Sequence, residues 1–165
     1  MPIVAKAVFN YLYKKIPVME TLRSCTDILD FCKTQNVGKQ FEVVYDIVEN
    51  GKIKTIHSQR HVRFYVSTKG IVIQKEEVNT GKRSKLASGL PSIILNSLDD
   101  KPIEERNINY GYYCDEAYKI INPIKLGISP NQKADSLKGT VSGKNLLKKY
   151  DRDYLVLFDN EDFND

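Results

Sequence analysis

Asn50-Gly51, set between two runs of alternating apolar residues, constrains this chain more than any other feature of it. In a two-residue hairpin both central residues take φ > 0, and Asn-Gly accepts that at low steric cost. Residues 41–48 and 52–56 are therefore predicted to pair as antiparallel strands around Glu49-Asn50-Gly51. Residues 61–67 and 71–74 flank Thr68-Lys69-Gly70 and predict a second hairpin. Asn79-Thr80-Gly81-Lys82 reads as a further turn, and residues 92–95 as a short buried strand. Along residues 61–66, Val62, Phe64 and Val66 share one face, while His61, Arg63 and Tyr65 share the other.

The flanks follow the helical period instead. Val4, Val8, Tyr11 and Leu12 fall on one face of a helix, with Lys6, Asn10 and Lys14 opposite. Pro17 fits the first turn of a second helix that turns Val18, Leu22 and Cys25 inward. Thr26 is placed to cap a third, whose apolar side is Ile28, Leu29, Phe31 and Cys32, with Gly38 releasing the chain. Asn107 or Asn109 is placed to cap a later helix with Tyr113, Ala117, Ile120, Ile121 and Ile124 on one side, ended by Pro123. The fold class expected is α+β: N-terminal helices, a central antiparallel sheet over about residues 41–95, one later long helix closing over it, and a flexible C-terminal extension. The domain reading is residues 1–124 as one α+β domain and 125–165 as a basic linker with an acidic tail.

A chain of 165 residues, 41% of them apolar, has room for one core and a tail. Charges interrupt every apolar run long before the ~18 residues a membrane helix needs. Met1-Pro2-Ile3-Val4-Ala5-Lys6 lacks a basic n-region and cleavage site, so no secretory leader is expected. Cys25, Cys32 and Cys114 are odd in number and lack framework spacing, which points to free thiols in a reducing, cytoplasmic setting.

The net charge of +4 hides strong segregation. Residues 51–90 carry nine Lys and Arg against two Glu, whereas residues 1–50 are neutral and residues 151–165 strongly acidic. Such a block is what a polyanion contact surface requires. Edge strands that use Lys to block aggregation would read the same way.

Catalytic motifs are weak by comparison. Gly139-Thr140-Val141-Ser142-Gly143-Lys144-Asn145 is one residue short of a phosphate-binding loop, and Asn145 stands where Ser or Thr holds Mg²⁺. His57 and His61 with Cys25 and Cys32 have the wrong spacing for a zinc finger. Cys114 reads as a core thiol. Asp99-Asp100 and Glu104-Glu105 read as capping and solvated carboxylates. No nucleophile, metal set or acid–base pair emerges, so neither a catalytic residue nor a bound metal or cofactor is assigned.

Two stretches carry a resemblance. Ile16-Pro17-Val18-Met19-Glu20-Thr21-Leu22-Arg23, continuing to Asp27-Ile28-Leu29-Asp30-Phe31, resembles the "G-x-P-V-E-x-T-I-R … D-I-x-D-F" segment after the palm of family-B DNA polymerases, especially phage ones. Asn107-Ile108-Asn109-Tyr110-Gly111-Tyr112-Tyr113-Cys114-Asp115-Glu116, continuing to Ile121-Asn122-Pro123, is similar to that family's late "I-D-x-x-Y-Y-I-E … I-x-P" helix. The two occur in the family's order and span about residues 3–124. The resemblance implies the thumb, which holds duplex product behind the active site. The family's "D-x-x-S-L-Y-P" and "Y-x-D-T-D-S" signatures are absent, and Lys148-Lys149-Tyr150 lacks the Arg of its "K-K-R-Y". The nucleotidyltransferase chemistry and its Mg²⁺ would therefore belong to a separate palm. The chain is then expected to be either an excised C-terminal fragment or a separately encoded piece that joins one.

On this reading the chain binds primer–template double-stranded DNA by its phosphates, without sequence preference, in the cytoplasm of a bacterium or a phage-infected host. The DNA-binding candidates are Lys39, Gln40, Lys52, Lys54, Arg60, His61, Arg63, Lys69, Lys82, Arg83 and Lys85. Tyr154, Leu157 and Phe158 loosely resemble a tail that docks on a sliding clamp. The polymerase palm is the other expected partner, and no membrane is. The alternative is a phage-encoded protein–protein interaction module that presents its basic β face to an acidic partner.

Overall fold

A computed structural model describes residues 1–58 and 61–126. Among these the chain forms helices α1 (Ile3–Lys14), α2 (Val18–Ser24), α3 (Ile28–Phe31) and α4 (Tyr110–Lys125). Its strands are β1 (Lys33–Asn36), β2 (Phe41–Glu49), β3 (Lys52–His57), β4 (His61–Glu77), β5 (Arg83–Lys85) and β6 (Pro91–Ile94). The architecture is α+β, and it divides into two compact units. One unit holds residues 1–30 and 110–126 of the described chain; the other is Phe31–Asn109.

In the helical unit α1, α2 and α4 pack on one another. The buried stripe of α1 is Ile3, Ala7 and Tyr11, while Val4, Val8 and Leu12 sit half-buried at its border. The period was right and the face is rotated by about one residue. Tyr11 meets Tyr118 edge-to-face with ring centroids 5.8 Å apart, and Lys125 Nζ donates to the Tyr11 hydroxyl at 3.1 Å. Asn10 Nδ2 donates to Thr21 Oγ1 at 3.1 Å, joining α1 to α2. Val18, Leu22 and Cys25 are buried as expected.

Three helix boundaries differ from the sequence reading. Pro17 precedes α2 rather than entering it, and its carbonyl accepts from the Glu20 and Thr21 amides. Asp27, not Thr26, caps α3, its Oδ1 accepting the Leu29 amide at 3.0 Å. Pro123 lies inside α4, because the Leu126 amide donates to the Asn122 carbonyl at 3.0 Å and carries the backbone bonding beyond the proline. Ile120 and Ile124 are exposed, and Tyr112, Cys114 and Tyr118 take the buried positions assigned to them.

The sheet unit is a six-stranded antiparallel sheet in the order β1-β4-β2-β3, with β5 and β6 also paired to β4. Asn50 and Gly51 make the predicted turn, with φ of 54° and 75°, and Glu49 faces Lys52 across it. Glu77 N–H donates to the Lys82 carbonyl at 2.9 Å and closes the second turn into β5. The hairpin expected at Thr68-Lys69-Gly70 does not form. Residues 61–77 instead run as one strand, whose pairing with β6 shifts register between Val66 and Ile71. Gly70 serves close approach there: a Cβ on it would overlap the Ser92 backbone. The irregular stretch is occupied from elsewhere, since Thr68 N–H donates to the Asn107 carbonyl at 2.8 Å and Ser67 bridges to Ile108. Val43, Val62, Phe64, Ile73 and Leu86 form the core of this unit.

β1 was not anticipated. Gly38 does not release the chain from a helix, because the chain leaves α3 and pairs at once with β4, Lys33 opposite Phe64 and Asn36 opposite His61. The expected C-terminal extension lies, apart from Lys125 and Leu126, outside the described residues.

Candidate nucleic-acid interface

Register decides which cations can act together, because directly opposed residues of a sheet point to the same side. Lys52 faces Glu49 and Lys54 faces Ile47, which places both on the side of Tyr45 and Val43. Arg83 faces Glu76 and Lys85 faces Gln74, and these face Glu42 and Val44, the opposite side. The single basic strand face expected from the sequence is therefore two faces.

The strand-borne cations are largely engaged. Arg83 Nε donates to Glu76 Oε2 at 2.8 Å and Nη1 to Asp46 Oδ2 at 3.1 Å. The Glu76 bond and the Asp46 charge hold its guanidinium above its ordinary pKa. The Thr55 hydroxyl, followed by Arg83, holds Asp46 below the usual carboxylate range. Lys54 lies 3.7 Å from Glu49. Lys75 stacks over Phe41 at 4.6 Å from the ring centroid, a contact that sequence spacing did not signal. Tyr65, expected to present an aromatic with His61 and Arg63, is buried, and its hydroxyl bonds Arg106.

Lysines in the turns and at strand ends or irregularities differ. Lys39 before β2, Lys52 after the first turn, Lys69 in the β4 irregularity, Lys82 in the second turn and Lys85 ending β5 are all exposed. Among the described residues, no carboxylate pairs with any of these five. Lys39 and Lys82 come from adjoining loops, tied where the Val78 amide donates to the Gln40 carbonyl at 2.8 Å. Gln40 contributes that backbone bond.

His61 and Arg63 stand apart from those turns, in a concavity of 340 Å³ lined by Thr34, His61, Val62, Arg63, Leu95 and Asn96. His61 Nδ1 meets Asn36 Oδ1 at 3.0 Å, and Arg63 Nε donates to the Leu95 carbonyl at 3.3 Å. Sequence reasoning missed Thr34 and Asn96, since neither lies in a patterned segment.

His57 pairs instead with Glu42 at 3.1 Å, so the two histidines have separate partners on separate strands. Among the described residues no group of three His, Cys, Asp or Glu side chains stands close enough to hold a metal ion. No described helix is long and apolar enough to cross a membrane. Arg60, residues 139–145, and the tail residues Tyr154, Leu157 and Phe158 lie outside the described residues.

Comparison with known proteins finds no matching family model, no matching curated protein and no matching solved structure.

Proposed function

We propose that the sheet unit contacts the phosphates of duplex nucleic acid without reading its sequence, as a thumb-like partner of a polymerase palm. The observation that carries this is the set of exposed lysines with no carboxylate partner among the described residues: Lys39, Lys52, Lys69, Lys82 and Lys85. Exposed cations without carboxylate partners release condensed counterions from DNA at little cost, whereas a guanidinium already held by two carboxylates has little charge left to give. The resemblance of residues 16–31 and 107–123 to family-B polymerase segments supplies the duplex and the palm in this proposal.

Lys52 and Lys85 lie on opposite sides of the sheet, so at most four of the five can meet one duplex, and log K would then fall against log salt with a slope of about −3.6. Fluorescence anisotropy of a labelled primer–template over a salt series reads that slope. Reversing Lys39, Lys52, Lys82 and Lys85 to Glu should abolish binding at moderate salt, and a flat salt response of the parent chain overturns the proposal. Incubated alone with Mg²⁺, primer–template and nucleotides, the chain is expected to extend nothing.

One feature favours a second reading, the interaction module. Val48 and Ile53 face each other across the β2–β3 hairpin and are each 76% exposed, on the outermost strand pair of the sheet. A partner retained after nuclease treatment, together with no duplex affinity, would select that reading.

A further inference from the structure

We propose that the concavity between β1, β4 and the end of β6 seats the phosphate of a single nucleotide, with the Arg63 guanidinium as its fork. This goes beyond contact at the turn lysines, since it uses different residues and a free phosphate compound would satisfy it.

Arg63 carries five N–H donors, of which the Nε–H is spent on the Leu95 carbonyl. That bond is matched by the Leu95 amide, which donates to the Arg63 carbonyl at 2.9 Å, so side chain and backbone are clamped to the same residue. The guanidinium is thereby held in one orientation before any ligand arrives. Its terminal nitrogens meet no acceptor among the described residues. Arg83, on β5, spends its terminal donors on Asp46 and Thr55 and its Nε–H on Glu76. A half-buried guanidinium with open donors gains most from a bidentate oxyanion, and a phosphate matches its planar fork.

The rest of the lining agrees with a phosphate-bearing ligand. Among the described residues no carboxylate lines the concavity to compete for the cation or repel an anion. Thr34 and Asn96 supply neutral hydrogen-bonding groups at its rim, and Asn36 fixes the His61 imidazole beside them. Val62 and Leu95, both buried, provide an apolar floor. At 340 Å³ the space is at the small end of ligand pockets, the size class of one nucleotide rather than a helical segment.

The test uses the full chain and heteronuclear NMR, with dAMP, inorganic phosphate, and a short single-stranded oligonucleotide with and without a 5′-phosphate. Expected is saturable movement of the Thr34, Arg63 and Asn96 amides with dAMP, weaker with inorganic phosphate. Equal response to dAMP and the phosphorylated oligonucleotide assigns the site to a strand terminus. Response to dAMP alone assigns it to a free nucleotide. Arg63→Gln should weaken binding at least tenfold. Asn96→Asp, in an exposed segment, should do the same by like-charge repulsion and serves if Arg63→Gln fails to fold. Lys52→Glu should leave dAMP binding unchanged while weakening duplex, which separates this site from the lysine surface. Absence of saturation with every ligand, or unchanged affinity in Asn96→Asp, overturns the assignment.

Discussion

Two arginines, Arg63 on β4 and Arg106 beside it, have opposite surroundings. Arg106 is 3% exposed, donates to Asp99 Oδ1 at 2.6 Å and bonds the Tyr65 hydroxyl. Burial works against its charge, but Asp99 and Tyr65 outweigh that and keep the guanidinium above its ordinary pKa. Arg63, half-buried, has one carbonyl and, among the described residues, no carboxylate. The first is closed by its own fold, and its work is structural. The second has been oriented and left with donors to spend, which is the condition of a binding residue. What separates them is the acceptors that the topology brings, since the side chain is the same.

The contrast can be broken at three places, and the largest effect is expected in the backbone that builds the Arg106 side. Segment 106–109 is held where β4 departs from regular pairing, through Ser67, Thr68 and the Asn109 amide, which donates to the Val66 carbonyl at 3.1 Å. Gly70→Ala drives a Cβ into the Ser92 backbone beside that departure, and should cost about 3 kcal/mol in urea unfolding. Arg106→Met removes the donor from a buried Tyr65 hydroxyl and should cost about 2 kcal/mol. Arg63→Met loses one part-buried hydrogen bond and should cost about 1 kcal/mol, while removing phosphate binding. Equal destabilisation by the two arginine substitutions would abolish the distinction between them.

The sequence made much of this legible, and the places where it did not share one cause. The β2–β3 hairpin was readable because Asn50-Gly51 needs nothing beyond its own backbone preference. Lys69-Gly70 was misread as a turn because a glycine signals either a left-handed turn or a close approach. The residues that decide, Ser92 and Asn107, are distant in the chain. β1 was invisible: Lys33-Thr34-Gln35-Asn36 has no apolar alternation, and its pairing with β4 needs only backbone groups. His61 and Arg63 could be placed on one strand face from alternation alone. That Arg83 would be closed by Asp46 and Glu76, and Arg63 left open, depends on cross-strand register, which no local pattern encodes.

The smallest expected effect is a pH dependence, and its sign follows from the same contrast. The Lys101 amide, at 3.0 Å, and then Arg106 hold the Asp99 carboxyl below its usual range, as Thr55 and Arg83 hold Asp46. In the unfolded chain both return to about pKa 3.9. Between the depressed folded values and that figure, the unfolded state binds protons that the folded state does not, so stability rises with pH. Their contribution is complete above about pH 4 to 5 and is lost as pH falls through the folded values. Urea midpoints at successively lower pH should therefore fall for the parent, and fall less steeply for Asp99→Asn and Asp46→Asn. Among the described residues the Arg63 concavity has no carboxylate in its lining to titrate in that window, so its affinity for inorganic phosphate should not track this acid transition while the sheet remains folded. An acid slope unchanged in both variants would mean that neither carboxylate closes its arginine in solution, and the comparison of closed with open guanidinium would lose its closed half.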